Sequence, residues 1–344
     1  MKIKLSFTLI NFYLYTGDNS GSNKMRSKME LTQKLSPKYF YIIFGFMTAI
    51  GMFFIFSSIY FVQNNTTRSE QIDEFQKIFS PTIPGKLDFA GEIVPIENFD
   101  VYERIDREFL VNTYWHSFTI LAIKRANRWF PIIEPILKKN NIPEDFKYVA
   151  VIESGLYNAV SSSGATGFWQ IMESVGKKYG LEINDQVDER YAVEKSTEAA
   201  CKYFEESYGL FKNWTLAAAS YNMGMNGVQR QLERQKTNNY YNLSLSEETS
   251  RYISRIIALK EILKDPKKYG YYLTADQLYK PLKTHNIAVS DNITDIADFG
   301  IKNGINYKTI KLYNPWLREN LLDNKNHKSY TIKIPDKGSI NVIK

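Results

Sequence analysis

Between Val151 and Met172 the chain reads VIESGLYNAVSSSGATGFWQIM, which holds one carboxylate, a run of small hydroxyl residues, three glycines and a Phe-Trp-Gln. The acid is Glu153. The residues before it, from about Pro143, read as a helix that turns Phe146, Val149, Ala150 and Ile152 toward a core, with Glu144 and Asp145 favourable at its N-terminus. Glu153 then falls in the last turn, where the negative end of the helix dipole disfavours a carboxylate. Partial burial by Phe168 and Trp169 would act the same way, so both influences predict a raised pKa. A carboxyl group that stays protonated near neutrality can give its proton to a departing oxygen. Gly155 is expected to end the helix, and the small-sided SSSGATG loop lets a sugar chain approach the backbone. Trp169 offers a stacking face, and Gln170 an amide that both donates and accepts. The same residues also fit a plain helix end followed by an ordinary Gly/Ser loop, and spacing alone does not separate the two.

Cleaving a glycosidic bond usually takes two carboxylates. Asp185, Asp188 and Glu189 are candidates for the second, but DQVDER reads as a turn and helix start. His116, His285 and His327 are scattered without metal-ligand spacing, and Cys201 stands alone in a helical pattern. No metal or cofactor is expected.

The elements that must position these residues follow from periodicity. From Asp100 to about residue 270 apolar residues recur at three- and four-residue intervals, through FLVNTYWHSFTILAIKRANRWFPIIEPILKKNN to EETSRYISRIIALKEILKD. This predicts a nearly all-helical domain over 100–270. Residues 63–99, with SPTIPGK, read as a linker or loosely packed lead-in. Tyr39 to Val62 carries no charge, and as a helix would span about 36 Å against a hydrocarbon core of about 30 Å. A cleaved signal peptide competes with this reading. Its apolar region should be about 7–15 residues long and end in small residues, so an uncleaved transmembrane anchor over 39–62 is expected.

Seven Lys and Arg against two acids precede residue 39, which accounts for +5 of the formal +7. The tail 1–38 therefore reads as cytoplasmic, with everything after the span outside. No basic stripe with interleaved aromatics remains, so nucleic acid is not an expected partner.

The stretch ESGLYNAVSSSGATGFWQIM resembles the signature of the lytic murein transglycosylases, the lysozyme-like soluble-lytic-transglycosylase domain. Two further blocks follow in the family's order. DQVDERYAVEKSTEAACKYFEESYGLFKNWTLAAASYNMGMNGV resembles the second and EETSRYISRIIA the third, and the membrane-bound D-type members are nearest. The resemblance covers about Phe130 to Ile262. It implies a mainly α, goose-type lysozyme-like catalytic domain on an inner-membrane anchor, facing the periplasm and acting on peptidoglycan glycan strands. Glu153 corresponds to the single catalytic acid/base. Ser161, Gln170, Met172, Tyr221, Asn222, Glu248 and Tyr252 correspond to positions that line or close the substrate cleft. Phe168 stands where many relatives carry Leu, and NMGMNGV is less glycine-rich than usual. The implied reaction cleaves the β-1,4 bond between N-acetylmuramic acid and N-acetylglucosamine and closes a 1,6-anhydro ring, so one acid suffices. A goose-type hydrolase using water and a non-catalytic wall-binding scaffold are the alternatives.

Residues 280–336 read strand, helix, helix, strand and resemble a degenerate lysin motif, with SDNITDI in place of the usual Gly-Asp-Thr-Leu segment. The alternative is a small capping subdomain without sugar affinity. Asn314 and Trp316 are the first positions to test there.

Overall fold

The computed structural model describes residues 37–76 and 78–340. The chain divides into two compact units, Met1–Ile78 and Phe79–Lys344.

In the first unit, helix α1 spans Pro37–Gln76, and Tyr41–Phe61 within it is long and apolar enough to cross a membrane. Two hydroxyl side chains of this stretch bond back to helix carbonyls, as a hydrocarbon environment favours. Thr48 Oγ1 donates to the carbonyl of Gly45 at 2.9 Å and Ser58 Oγ to that of Phe54 at 2.7 Å. Most of the tail 1–38 lies outside the described residues.

The second unit is mainly helical. After a two-residue hairpin, β1 (Asp88–Phe89) and β2 (Glu92–Ile93), come α2 (Phe99–Tyr114), α3 (His116–Lys139), α4 (Lys147–Ser154), α5 (Glu173–Lys178), α6 (Val193–Phe211), α7 (Trp214–Met223), α8 (Met225–Gln235) and α9 (Glu247–Lys264). Local signals set several of these boundaries. Asn213 caps α7 by accepting from the N–H of Leu216 at 2.8 Å, and Ser246 stands at the N-cap of α9. Gly155 caps α4 with φ 62°, its N–H closing on the carbonyl of Val151 at 2.8 Å.

The break between α2 and α3 at Trp115 has no such signal. Thr119 Oγ1 takes the carbonyl of Asn112 at 2.6 Å, and the hydroxyl of Tyr271 reaches that of Thr113 at 2.5 Å.

The segment 63–99, expected as a linker or loosely packed lead-in, carries regular structure. Helix α1 continues to Gln76, and the hairpin is packed into the helical domain, with Leu87, Phe89 and Val94 buried. The ring of Phe89 meets that of Phe146 at 5.1 Å. Lys260 of α9 binds Asp88 at 3.0 Å and Asp145 at 2.7 Å. The Glu92 carboxylate accepts from the N–H groups of Trp214 and Thr215 at 2.6 and 2.9 Å, covering the positive end of α7. Short apolar runs between polar and turn residues carry no periodicity, so this packing was invisible locally.

Phe146 sits at the centre of the core, with its ring 4.4 Å from Phe204 and 5.4 Å from Trp214. It lies in a one-turn 3-10 segment, Glu144–Phe146, that leads straight into α4. The helix carrying Glu153 is thus anchored by a fully buried ring at its base.

At the C-terminal end, β3 (Thr284–Val289) and β4 (Tyr330–Pro335) pair antiparallel from Thr284↔Pro335 to Val289↔Tyr330, with α10 (Ile296–Lys302) and α11 (Tyr307–Tyr313) between them. Ile296, Ile310, Leu317, Leu322, Ile332 and Ile334 form its core, which Val187 of the helical domain joins. Asn314 is fully buried. Its amide donates to the carbonyls of Ile310 and Lys333 and accepts from the N–H of Lys333 at 2.7 Å. Trp316 is buried and stacks on Tyr330 at 5.7 Å.

Candidate active site

Helices α4, α7 and α9 pack together and bring residues from three distant stretches to one place. Glu153 stands in the last turn of α4, partly accessible at the surface. The hydroxyl of Tyr252 on α9 donates to its Oε1 at 2.6 Å. Burial pushes the Glu153 carboxyl up to about 7; the Tyr252 hydrogen bond and the charge of Arg255 pull it down, and the Glu248 carboxylate pushes it up. Burial wins, because the group ends well above an ordinary carboxylic acid. At neutral pH the acid and its conjugate base are then both well populated, which suits a group that must give a proton and take one back.

Gly155 is favoured by its φ of 62°, and the space beside it is tight. A Cβ there would lie 3.1 Å from the ring of Phe118. Just before it, Ser154 Oγ donates to the carbonyl of Phe168 at 2.8 Å and ties the end of α4 to the following loop.

That loop is braced from inside and outside. Ser161 Oγ accepts from the N–H of Ala165 at 3.0 Å, and the Gln170 side chain donates to the carbonyls of Ala159 and Gly167 at 3.0 and 2.7 Å. From outside, Arg190 donates to the carbonyls of Gly164 and Ile171 at 3.1 and 3.3 Å. Asp188 fixes that guanidinium at 2.7 Å in a buried pair. Gly167 packs so closely that an added Cβ would fall 2.1 Å from the carbonyl oxygen of Arg190.

Some expectations change here. Trp169 is fully buried and spends its indole N–H on Thr197 Oγ1 at 2.9 Å, so it gives no stacking face to a ligand. Phe168 is buried against Trp129 at 5.0 Å. Their apolar side chains are better satisfied in the core than on a groove wall.

Tyr221 on α7 donates to the carbonyl of Trp169 at 2.7 Å, and burial together with the neighbouring Glu153 holds its phenol well above its usual range. Asn222 donates to Glu248 at 3.1 Å and accepts from Thr249 Oγ1 at 2.8 Å, tying the end of α7 to the start of α9.

The structure therefore groups Glu153, Tyr252 and Tyr221 as an inner cluster, with Asn222, Glu248 and Thr249 joined beside it. Ser161 and Gln170 shape the adjoining loop. Met172 is exposed at the N-cap of α5. Among the described residues no hydrogen bond links these last three to Glu153. Two of the other candidate acids are engaged elsewhere, Asp188 holding Arg190 and Glu189 accepting from the N–H of Glu182 at 2.8 Å, and Asp185 is exposed.

Two residues were missed in the sequence. Arg255 stands three residues beyond Tyr252, and that spacing places both on one face of α9. Glu108 occupies a core-facing register of α2 with Val101, Ile105, Phe109 and Asn112, and a charge in such a stripe was the available signal.

Comparison with known proteins gives two family matches and similar curated relatives. The Transglycosylase SLT domain family matches residues 130–244, and the Soluble lytic transglycosylase C-terminal LysM-like domain family matches residues 285–338. The chain is similar to the membrane-bound lytic murein transglycosylase D of Escherichia coli strain K12, 28% identical over 232 residues that make up 66% of this chain and 50% of that protein. The protein of the same name from Escherichia coli O6:H1 matches equally. The chain thus spans about half the length of the curated relatives it matches.

Proposed function

For a chain that carries a transglycosylase SLT domain and a LysM-like domain and is homologous to membrane-bound lytic murein transglycosylase D, we propose the activity of a peptidoglycan lytic transglycosylase, a lyase, with Glu153 as its only acid/base. The observation that carries this reading is the Tyr252–Glu153 hydrogen bond at 2.6 Å on a carboxyl raised to about 7.

Because Oε1 accepts from Tyr252, the acidic proton resides on Oε2. From there it passes to the glycosidic oxygen between N-acetylmuramic acid and N-acetylglucosamine, and the C–O bond breaks. The muramic acid N-acetyl group stabilises the cation at the anomeric carbon. Glu153, now ionised and still held by Tyr252, accepts the proton of that sugar's 6-hydroxyl, whose oxygen closes a 1,6-anhydro ring. No water enters. Tyr221 and the braced loop hold the walls, and Asn222 and Glu248 offer an amide and a carboxylate to sugar hydroxyls.

Helix α1 anchors the chain in the inner membrane. The basic residues ahead of it orient the catalytic domain away from the cytoplasm, toward the wall.

The test is digestion of purified sacculi by the full chain in detergent, followed by mass spectrometry. Fragments one water lighter than ordinary reducing-end muropeptides are expected. Ordinary reducing ends throughout would make the chain a hydrolase, and binding without release would make it a scaffold.

A further inference from the structure

The proposed reaction asks one carboxyl to hold a proton and then release it, so the charges around it matter as much as the group itself. The Tyr252 hydroxyl of α9 lies 2.6 Å from Glu153, Arg255 stands one turn further along the same face of α9, and Glu248 of α9 and Tyr221 of α7 also act on or feel its charge. From α3, Arg125 donates to the carbonyl of Gly155 at 3.0 Å.

Behind α9, on α2, lies a second carboxylate. Glu108 is fully buried. Its Oε1 accepts from Arg251 Nε at 2.7 Å and from Arg107 Nη1 at 2.8 Å. Among the described residues its Oε2 has no hydrogen-bond donor, and the Arg255 guanidinium approaches it with Nε at 3.5 Å. A buried carboxylate persists only when cations compensate it, and α9 supplies two of the three here. Exposed Glu247 completes the cluster, 3.2 Å from Arg251 and 3.8 Å from Arg107.

Arg255 is therefore shared. One carboxylate, Glu108, holds it from behind, and its charge favours the ionised form of the other, Glu153.

We propose that Glu108 is a positioning residue for the reaction: from the back of α9 it holds the Arg255 guanidinium in place and offsets its charge, and so sets the pH range over which Glu153 works. This inference rests on the acid/base reading of Glu153 given above.

The experiment measures kcat/KM against pH for the full chain on soluble glycan strands, with circular dichroism and melting curves to verify folding. A proton-donating Glu153 makes activity fall as pH rises through its pKa. Arg255→Gln removes a positive charge, disfavours the carboxylate and moves that fall upward by about half to one pH unit. Glu108→Gln leaves the guanidinium uncompensated and moves it downward by a similar amount. Arg255→Lys keeps the charge and stays near wild type. Opposite displacements support the proposal. A folded Arg255→Gln whose profile is lowered but not displaced overturns it, as do displacements in the same direction. Should Glu108→Gln fail to fold, Arg255→Gln against Arg255→Lys decides. A wild-type chain that releases no muropeptide overturns the catalytic reading and this inference with it, whereas an active chain with an undisplaced profile overturns this inference alone.

Discussion

The hydroxyl of Tyr252 donates to Oε1 of Glu153 across 2.6 Å, joining the last turn of one helix to the middle of another, 99 residues further along the chain. The bond fixes the carboxyl rotamer and leaves its second oxygen for other chemistry. It also opposes the effect of burial, so the acid is held back from an even higher pKa.

Replacing Glu153 by Gln keeps the shape and removes the proton. Turnover of sacculi is expected to fall about 10²- to 10⁴-fold with the circular dichroism spectrum unchanged. Near-normal release by this variant would remove Glu153 from the mechanism.

The same substitution should stabilise the protein, with a defined pH dependence. The folded-state pKa of Glu153 is about 7, above the usual 4.5, so the folded chain binds more protons than the unfolded chain between those values. Stability is then lost as pH rises from 4.5 through 7. At pH 8 Glu153→Gln is expected to exceed wild type by about 2 kcal/mol, after allowance for the partial accessibility of the group. The difference should vanish near pH 4. Melting curves at the two pH values check this, and an equal difference at both would refute the linkage.

Tyr252→Phe removes one hydrogen bond to a group that becomes charged, a contribution of about 1.5–3 kcal/mol. Turnover should drop about tenfold or more. Because that bond lowers the pKa of Glu153, the fall in activity with rising pH should move to higher pH. An unmoved pH profile in a folded variant would mean that the bond is not kept in the working enzyme.

Gly167→Ala sets a methyl group 2.1 Å from a backbone oxygen, at a φ of +83°. Neither partner is a flexible side chain, so the loop or the Arg190 segment must shift. A loss of about 2 kcal/mol or more is expected, with activity reduced alongside. A melting temperature within a degree of wild type would show that the loop tolerates the shift.

Asn314 and Trp316, the first positions to test in the C-terminal module, both have buried side chains. Asn314→Ala leaves the N–H and carbonyl of Lys333 without their partner, while the Ile310 carbonyl keeps the backbone N–H of residue 314, and the loss should cost about 1–3 kcal/mol. Sacculus binding by the folded variants should be unchanged. Weaker binding at full thermal stability would identify these residues as ligands.

Much of the molecule was legible in short windows of the chain. The uncharged run through Tyr41–Phe61, the helix that delivers Glu153, the glycine that ends it and the βααβ order near the C-terminus all rest on neighbours within a turn or two. Periodicity, caps and turn residues act at that range, so they can be read residue by residue.

The remaining features depended on packing between segments far apart. Nothing adjacent to Trp169 says that its indole turns inward to Thr197, or that Phe89 belongs to the same core as Phe146. The sequence by itself determined that one acid would end a helix before a small-sided loop. Only the tertiary structure decided what surrounds that acid: Tyr252 against its carboxyl, Arg255 beside it and Glu108 behind α9. The physical reason is range. A carboxyl's proton affinity is set by burial and by charges within several ångströms, and the chain brings those charges together only when α2, α4 and α9 pack.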